Sequence, residues 1–138
     1  MTLQAIEDFI SKQKTAFIGS MDAEGFPNIK AMFAPRRIEA GGIYYFSTNK
    51  SSLRTGQYLE NPKASVYFYQ RGRFKYTGIM LVGTMEVLED HDSKASIWQP
   101  GDTMYYPAGI DDPDYCVLKF TSIRGRYYQS LTKGDFTF

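Results

Sequence analysis

The chain has 138 residues, 43% of them hydrophobic and 22% charged, which excludes a disordered tail and allows one globular domain, residues 1–138. Its 16 basic and 15 acidic residues leave a formal net charge of +1, so no global field drives it to nucleic acid or an anionic membrane. Cys116 is the single cysteine, which excludes an intramolecular disulfide and a cysteine-based metal site.

Taken in order, Thr2 caps a first helix whose apolar positions Leu3, Ile6, Phe9 and Ile10 fall at helical spacing, ending near Lys14. Ala16 to Met21 and Asn28 to Ala34 flank Asp22-Ala23-Glu24-Gly25 and read as a β-hairpin. A loop from Pro35 to Gly42 leads to the strand Ile43-Tyr44-Tyr45-Phe46. The small polar cluster Ser47 to Ser52 follows, then a helix from Leu53 to Glu60 that Asn61-Pro62 closes. Lys63 to Gln70 is a strand, and Phe74 to Leu88 is a longer one in which Gly78 and Gly83 mark bulges or bends. Asp90 to Trp98 is a short helix, and Pro100 to Pro113 is a loop rich in Gly, Pro and Asp. Tyr115 to Thr121 and Arg124 to Ser130 are two final strands. Six or seven strands joined mostly by short turns predict a mainly β fold, an antiparallel barrel with a few short helices outside it.

The stretch from Ile43 to Pro62 carries the best chemical lead. Hydroxyls, backbone amides and Arg54 gather where a strand hands over to a helix, and the free N–H groups and helix dipole there suit an anion such as phosphate. An ordinary N-cap explains the same residues, and both readings stay open at this point. Lys30 can approach from the neighbouring strand, or be a plain exposed lysine. Other chemistries find little support. The one histidine, His91, lies between Asp90 and Asp92 at a helix start, and Asp111-Asp112-Pro113-Asp114 lacks the ligand spacing of a calcium loop, so no metal site is expected. There is no nucleophile elbow, and Cys116 lies in an apolar run that suits a buried small hydrophobe. Arg36, Arg37, Arg71, Arg73, Lys75, Arg124 and Arg126 with nearby tyrosines form a candidate single-strand nucleic-acid face, against which the near-neutral charge argues. No apolar run reaches the roughly 18 residues of a membrane span and no signal pattern opens the chain, so a cytoplasmic protein without membrane partners is expected.

Together these pieces resemble the FMN-binding split-barrel family that includes pyridoxamine 5′-phosphate oxidase. The resemblance runs from about residue 15 to residue 122 and rests on an ordered set. Gly25-Phe26-Pro27 is followed by Lys30, then Tyr45-Phe46-Ser47-Thr48-Asn49, Ser52-Leu53-Arg54, and Asn61-Pro62 leading into Ala64 to Phe68. The segment Tyr106 to Pro113 is similar to the small general-stress-protein branch. The resemblance implies a split antiparallel β-barrel that binds FMN at the interface of a homodimer and exchanges electrons with a small-molecule donor or acceptor. It assigns Lys30 to the cofactor, Ala31 and Met32 to the flavin ring, Ser47 and Thr48 to the ribityl–phosphate side, and Ser52 and Arg54 to the phosphate. Leu53 stands where the oxidase has a further Arg. Gln70 and Gly78 would meet the partner's cofactor, and Trp98, Tyr127 or Tyr128 would lie beside the ring. Pro35 replaces the oxidase's substrate lysine and the C-terminal Arg and His substrate motif is missing, which argues against vitamin B6 oxidation. No catalytic residue stands out. A flavin-dependent oxidoreductase is the leading expectation, with a non-catalytic flavin carrier or sensor as the alternative.

Overall fold

Thr2 starts the first helix as its sequence requires. Its backbone is extended and its hydroxyl accepts the Ala5 N–H at 3.1 Å, opening α1 (Leu3–Ser11), which buries Ile6 and Ile10 one turn apart. In the computed structural model, which describes residues 1–138, this helix stops short of Lys14. The Lys14 carbonyl is instead needed by the sheet, where it accepts the Ala34 N–H at 3.0 Å. β1 (Thr15–Met21) and β2 (Pro27–Phe33) form the expected hairpin. Asp22 Oδ1 accepts the N–H groups of Glu24 and Phe26 at 3.0 and 2.9 Å, and Gly25 supplies a φ of 84°.

The segment read as a loop before Ile43 holds a three-residue strand, β3 (Arg37–Glu39), paired with β4 (Ile43–Asn49). Three residues between Pro35 and a Gly pair are too few to show an alternating pattern. After α2 (Leu53–Glu60) come β5 (Lys63–Arg71), β6 (Tyr76–Leu88) and α3 (His91–Ile97). The two expected final strands are one, β7 (Tyr115–Gln129). Its register with β6 passes from Gly83↔Ser122 to Val82↔Arg124, so Ile123 is an extra residue that bends the strand without ending it. A last strand, β8 (Thr132–Phe136), pairs back on β7. Its Ser130-Leu131 turn carries no Gly or Asn, yet Ser130 takes a φ of 54°, so the usual hairpin signal was missing from the sequence.

All pairings are antiparallel, in the order β2-β1-β5-β6-β7-β4-β3, with β8 added to β7. The fold is therefore mainly β with short flanking helices, as expected, but it has eight strands and its sheet does not close, because β2 and β3 remain edges. The main core lies on one face of the sheet and contains Ile18, Tyr44, Phe46, Val66, Phe68, Ile79, Leu81, Leu118 and Phe120, with Ile6 and Ile10 from α1 and Tyr58 from α2. A second cluster, Tyr45, Ile97, Tyr106, Tyr115 and Val117, lies on the other face of β4 and β7. Burial on both faces explains why Tyr44-Tyr45-Phe46 and Tyr115 to Leu118 are continuous buried runs rather than alternating ones. Cys116 lies inside the second run, and burial pushes its thiol up to about 11, which fits a packing role.

Gly83 sits opposite the bend. A Cβ there would run into the Thr121 carbonyl oxygen and come within 3.1 Å of Phe120 Cζ. Gly83→Ala is expected to cost about 2 kcal/mol by forcing β6 and β7 apart, measured as a lower denaturation midpoint. Unchanged stability would mean that the bend does not depend on this close approach.

Candidate functional site

The turn between β4 and α2 is built by its own polar side chains. β4 continues as a strand through Ser47, Thr48 and Asn49, further than its apolar start suggests. Ser52 then caps α2, its hydroxyl accepting the Thr55 N–H at 3.3 Å and lying 2.8 Å from Thr55 Oγ1. The donors of Ser51 are also taken: its N–H and hydroxyl donate to the two carboxylate oxygens of Asp114 at 2.8 and 3.2 Å. The hydroxyls of Ser51 and Ser52 are thus engaged within the chain. The cations and the first-turn N–H groups of α2 carry whatever attraction the site has for an anion.

Arg54 is the central residue. Its guanidinium is half-buried and donates from Nη2 to Thr48 Oγ1 at 2.6 Å, while its buried Nε has no partner. Burial lowers its pKa from the ordinary arginine value, and no carboxylate opposes this: Arg54 belongs to none of the chain's ion pairs. A cation drawn out of water with an unused donor is costly unless something anionic completes it. It stands where two cavities meet, of about 370 and 420 Å³, both of which Asn49 and Arg54 line. The smaller is mostly walled by Ala31, Met32, Phe33, Ser47, Thr48 and Tyr106. The larger collects Lys30, Ser52 and Leu53 with Ser20, Asn28 and Gln57. Lys30 is exposed and makes no ion pair. Leu53 is 78% exposed, so the position without a charge leaves an apolar rim on that cavity.

A loop from Trp98 to Asp114 closes the outer side of the smaller cavity. Arg36, on the cavity wall, clamps it with a two-pronged ion pair to Asp102, one prong Nη2 to Oδ1 at 2.9 Å. Asp102 also accepts the Gln99 N–H at 2.9 Å, and Arg36 donates to the Ile97 carbonyl at 3.3 Å. This fixes Tyr105 and Tyr106 as lining. Arg36, Tyr105 and Tyr106 were not among the expected site residues. No local motif marks them, since Arg36 and Asp102 are 66 residues apart.

Sequence comparison now bears on this geometry. The family model described as pyridoxamine 5′-phosphate oxidase matches residues 2–129. The chain belongs to that family. A comparison with curated proteins gives no match. Among solved structures, it is 38% identical to a Clostridium acetobutylicum protein related to general stress protein 26 of B. subtilis, of the pyridoxinephosphate oxidase family. That similarity covers 98% of this chain and 93% of the other, with a TM-score of 0.83. General stress protein 26 of Bacillus anthracis matches at 17% identity, 98% and 97% coverage and a TM-score of 0.74. A heme binding protein from Mycobacterium smegmatis shares the fold at 16% identity and a TM-score of 0.74, with 99% of this chain and 59% of that one covered. A shared fold therefore does not settle the ligand, and the side chains must.

The remaining family-derived positions lie away from the two cavities. Gly78 and Tyr128 are cross-strand neighbours on the outer face of β6 and β7. That face is continuous with the exposed side chains of Phe17, Ile29, Phe33, Tyr67, Tyr69 and Met80. Gln70 alternates to the opposite side of β5 and accepts a hydrogen bond from Gln13 Nε2 at 3.1 Å. Trp98 packs behind the loop, its ring 5.3 Å from Tyr115 and 6.4 Å from Tyr106. Tyr127 packs on the main core.

Proposed function

We propose that this chain binds FMN as a homodimer and works as a flavin-dependent oxidoreductase on a small molecule. The carrying observation is Arg54, a half-buried guanidinium with an unused Nε and no carboxylate, set at a helix start between two cavities. A dianionic phosphate beside Arg54 and Lys30 supplies the missing acceptor and matches two cations. Ala31, Met32 and the Tyr105–Tyr106 loop would hold the flavin ring in the smaller cavity, with Ser47 and Thr48 at its ribityl side. When bound, FMN supplies the electron or hydride transfer, and the protein contributes binding, orientation and shielding from water.

The dimer reading rests on the outer face. Phe17, Ile29, Phe33, Tyr67, Tyr69, Met80 and Tyr128 expose apolar surface across five neighbouring strands, more than an isolated chain is expected to leave wet. Ala31 and Phe33 belong both to this face and to the smaller cavity, so a second copy docked here would complete the site and bring Gly78 and Tyr128 towards it.

One observation favours a second reading. The smaller cavity is lined by no carboxylate, His or Cys, and its only titratable side chains are Arg36, Arg54 and the phenols of Tyr105 and Tyr106, so no group that titrates near neutrality stands beside the ring position, and a flavin carrier or sensor fits as well. Titrating the purified protein with FMN separates these readings from the rest. Uptake with a shifted flavin spectrum is expected, and no binding sinks the proposal. Stopped-flow reduction by reduced nicotinamide, then reoxidation by small acceptors, divides enzyme from carrier.

A further inference from the structure

The segment from Tyr106 to Pro113, which resembles the general-stress branch, reaches the ring cavity through Tyr106, and the residue that follows it, Asp114, touches the phosphate turn. Asp114 receives the Ser51 N–H and hydroxyl on its carboxylate, and its carbonyl accepts the Lys50 N–H at 2.6 Å. Ser51 Oγ in turn accepts from Asn49 Nδ2 at 3.2 Å, and the Asn49 carbonyl accepts the Ser52 N–H and the Thr55 hydroxyl at 3.2 and 3.1 Å. Asp114 is itself held, its N–H donating to Asp112 Oδ1 at 3.0 Å. Asp112 accepts the Ala108 N–H at 3.0 Å, and its carbonyl receives the buried Lys94 ammonium at 3.0 Å. The chain of bonds runs from α3 through the loop to the first turn of α2, where Arg54 begins.

A carboxylate at the edge of a site that draws an anion is electrostatically unfavourable. Its presence is understandable if the order it imposes on the turn outweighs the repulsion. We infer that Asp114 is a positioning residue for the phosphate turn, and that the loop from Trp98 to Asp114 is a clip. Its Asp102 end seats Tyr105 and Tyr106 at the ring cavity, and its Asp114 end sets the Asn49–Ser52 turn and hence the direction of Arg54. The choice of ligand rests on the FMN reading, but the clip itself does not.

The test compares FMN with riboflavin, which lacks the phosphate, and follows amide hydrogen exchange in the flavin-free protein. Asp114→Ala is expected to speed exchange at Ser51 and Ser52, whose N–H groups are bonded to Asp114 and to the Asn49 carbonyl, at least tenfold while amides in β5 and β6 stay protected, roughly the loss of one local hydrogen bond to a charged group. FMN affinity should fall about tenfold and riboflavin affinity should stay within about twofold. Asp114→Asn, which retains an oxygen for the Ser51 N–H, should recover most of the FMN affinity. Ser51→Ala, which keeps the backbone bonds, should show a smaller loss of the same kind and guards against a misfolded alanine variant. Equal losses for FMN and riboflavin, or FMN affinity unchanged or increased, would overturn the inference. If the unaltered protein binds neither flavin, the FMN reading fails, and the exchange rates at Ser51 and Ser52 still decide the clip.

Discussion

Replacing Arg54 with Met should weaken FMN binding by about 1.5–3 kcal/mol, the range for a hydrogen bond to a charged group, while the flavin-free protein melts at the same temperature or higher. The two signs come from one feature. In the free protein the guanidinium is half-buried, hydrogen-bonds only the Thr48 hydroxyl and leaves Nε unpaired, so an apolar side chain of similar length removes a burden. With a phosphate present, the same group gains a charge-assisted partner that methionine cannot offer. Arg54→Ala should lose a similar amount of affinity, and riboflavin binding should change little in either variant. Fluorescence titration and thermal melting check both halves. A variant that melts lower and binds FMN as before would make Arg54 a structural residue and remove it from the site.

Breaking the Arg36–Asp102 pair should be the most destabilising polar change in the chain. Asp102 is buried, its carboxylate also holds the Gln99 N–H, and the Arg36 side chain is only 16% exposed, so removing either partner strands a desolvated charge. Arg36→Ala or Asp102→Ala is expected to cost about 3–5 kcal/mol in denaturant unfolding, whereas Arg36→Met combined with Asp102→Leu should recover much of it. The pair also sets a pH limit. Burial raises the Asp102 pKa, but the Arg36 bond, the Gln99 N–H and the Arg36 charge outweigh it and hold the carboxyl below its ordinary value of 3.8. A carboxylate with a depressed folded-state pKa stabilises fully above its unfolded value and loses that contribution as pH falls through the folded one. Stability from this pair should therefore be constant near neutrality and fall only below about pH 4. A pH profile of unfolding that is the same in Asp102→Asn would contradict the assignment. Because the pair seats Tyr105 and Tyr106, the single variants should also weaken riboflavin binding, which Arg54 variants should not.

Much of the fold was legible because the physics involved is local. Thr2, Ser52 and Asp90 announce their helices through caps that form within three residues, and Asp22 with Gly25 fixes the first hairpin. The misses were also local in cause. The strand at Arg37 to Glu39 was too short for a pattern, the Ile123 bulge looked like a break, and Ser130 entered the left-handed region without glycine. The sites follow the same division. Lys30, Ser52 and Arg54 were singled out from their order along the chain, and all three line one cavity. Arg36 and Tyr106 were not assigned to this site because Tyr106 reaches Ala31 and Met32 only by the path of a long loop, and Arg36 shows its role only through its pairing with Asp102 on that loop.

By itself, the sequence determined the β-rich class, the family and the cations near the turn, since these depend on composition, caps and residue order. It could not decide which hydroxyls were free. Ser51 and Ser52 look like anion donors in a list of residues, but Asp114, 63 positions away from Ser51, takes one and the helix cap takes the other. Whether a donor is available depends on what the rest of the chain brings within hydrogen-bonding reach. Only the tertiary structure settles that, and at this turn it leaves Arg54 in want of a partner.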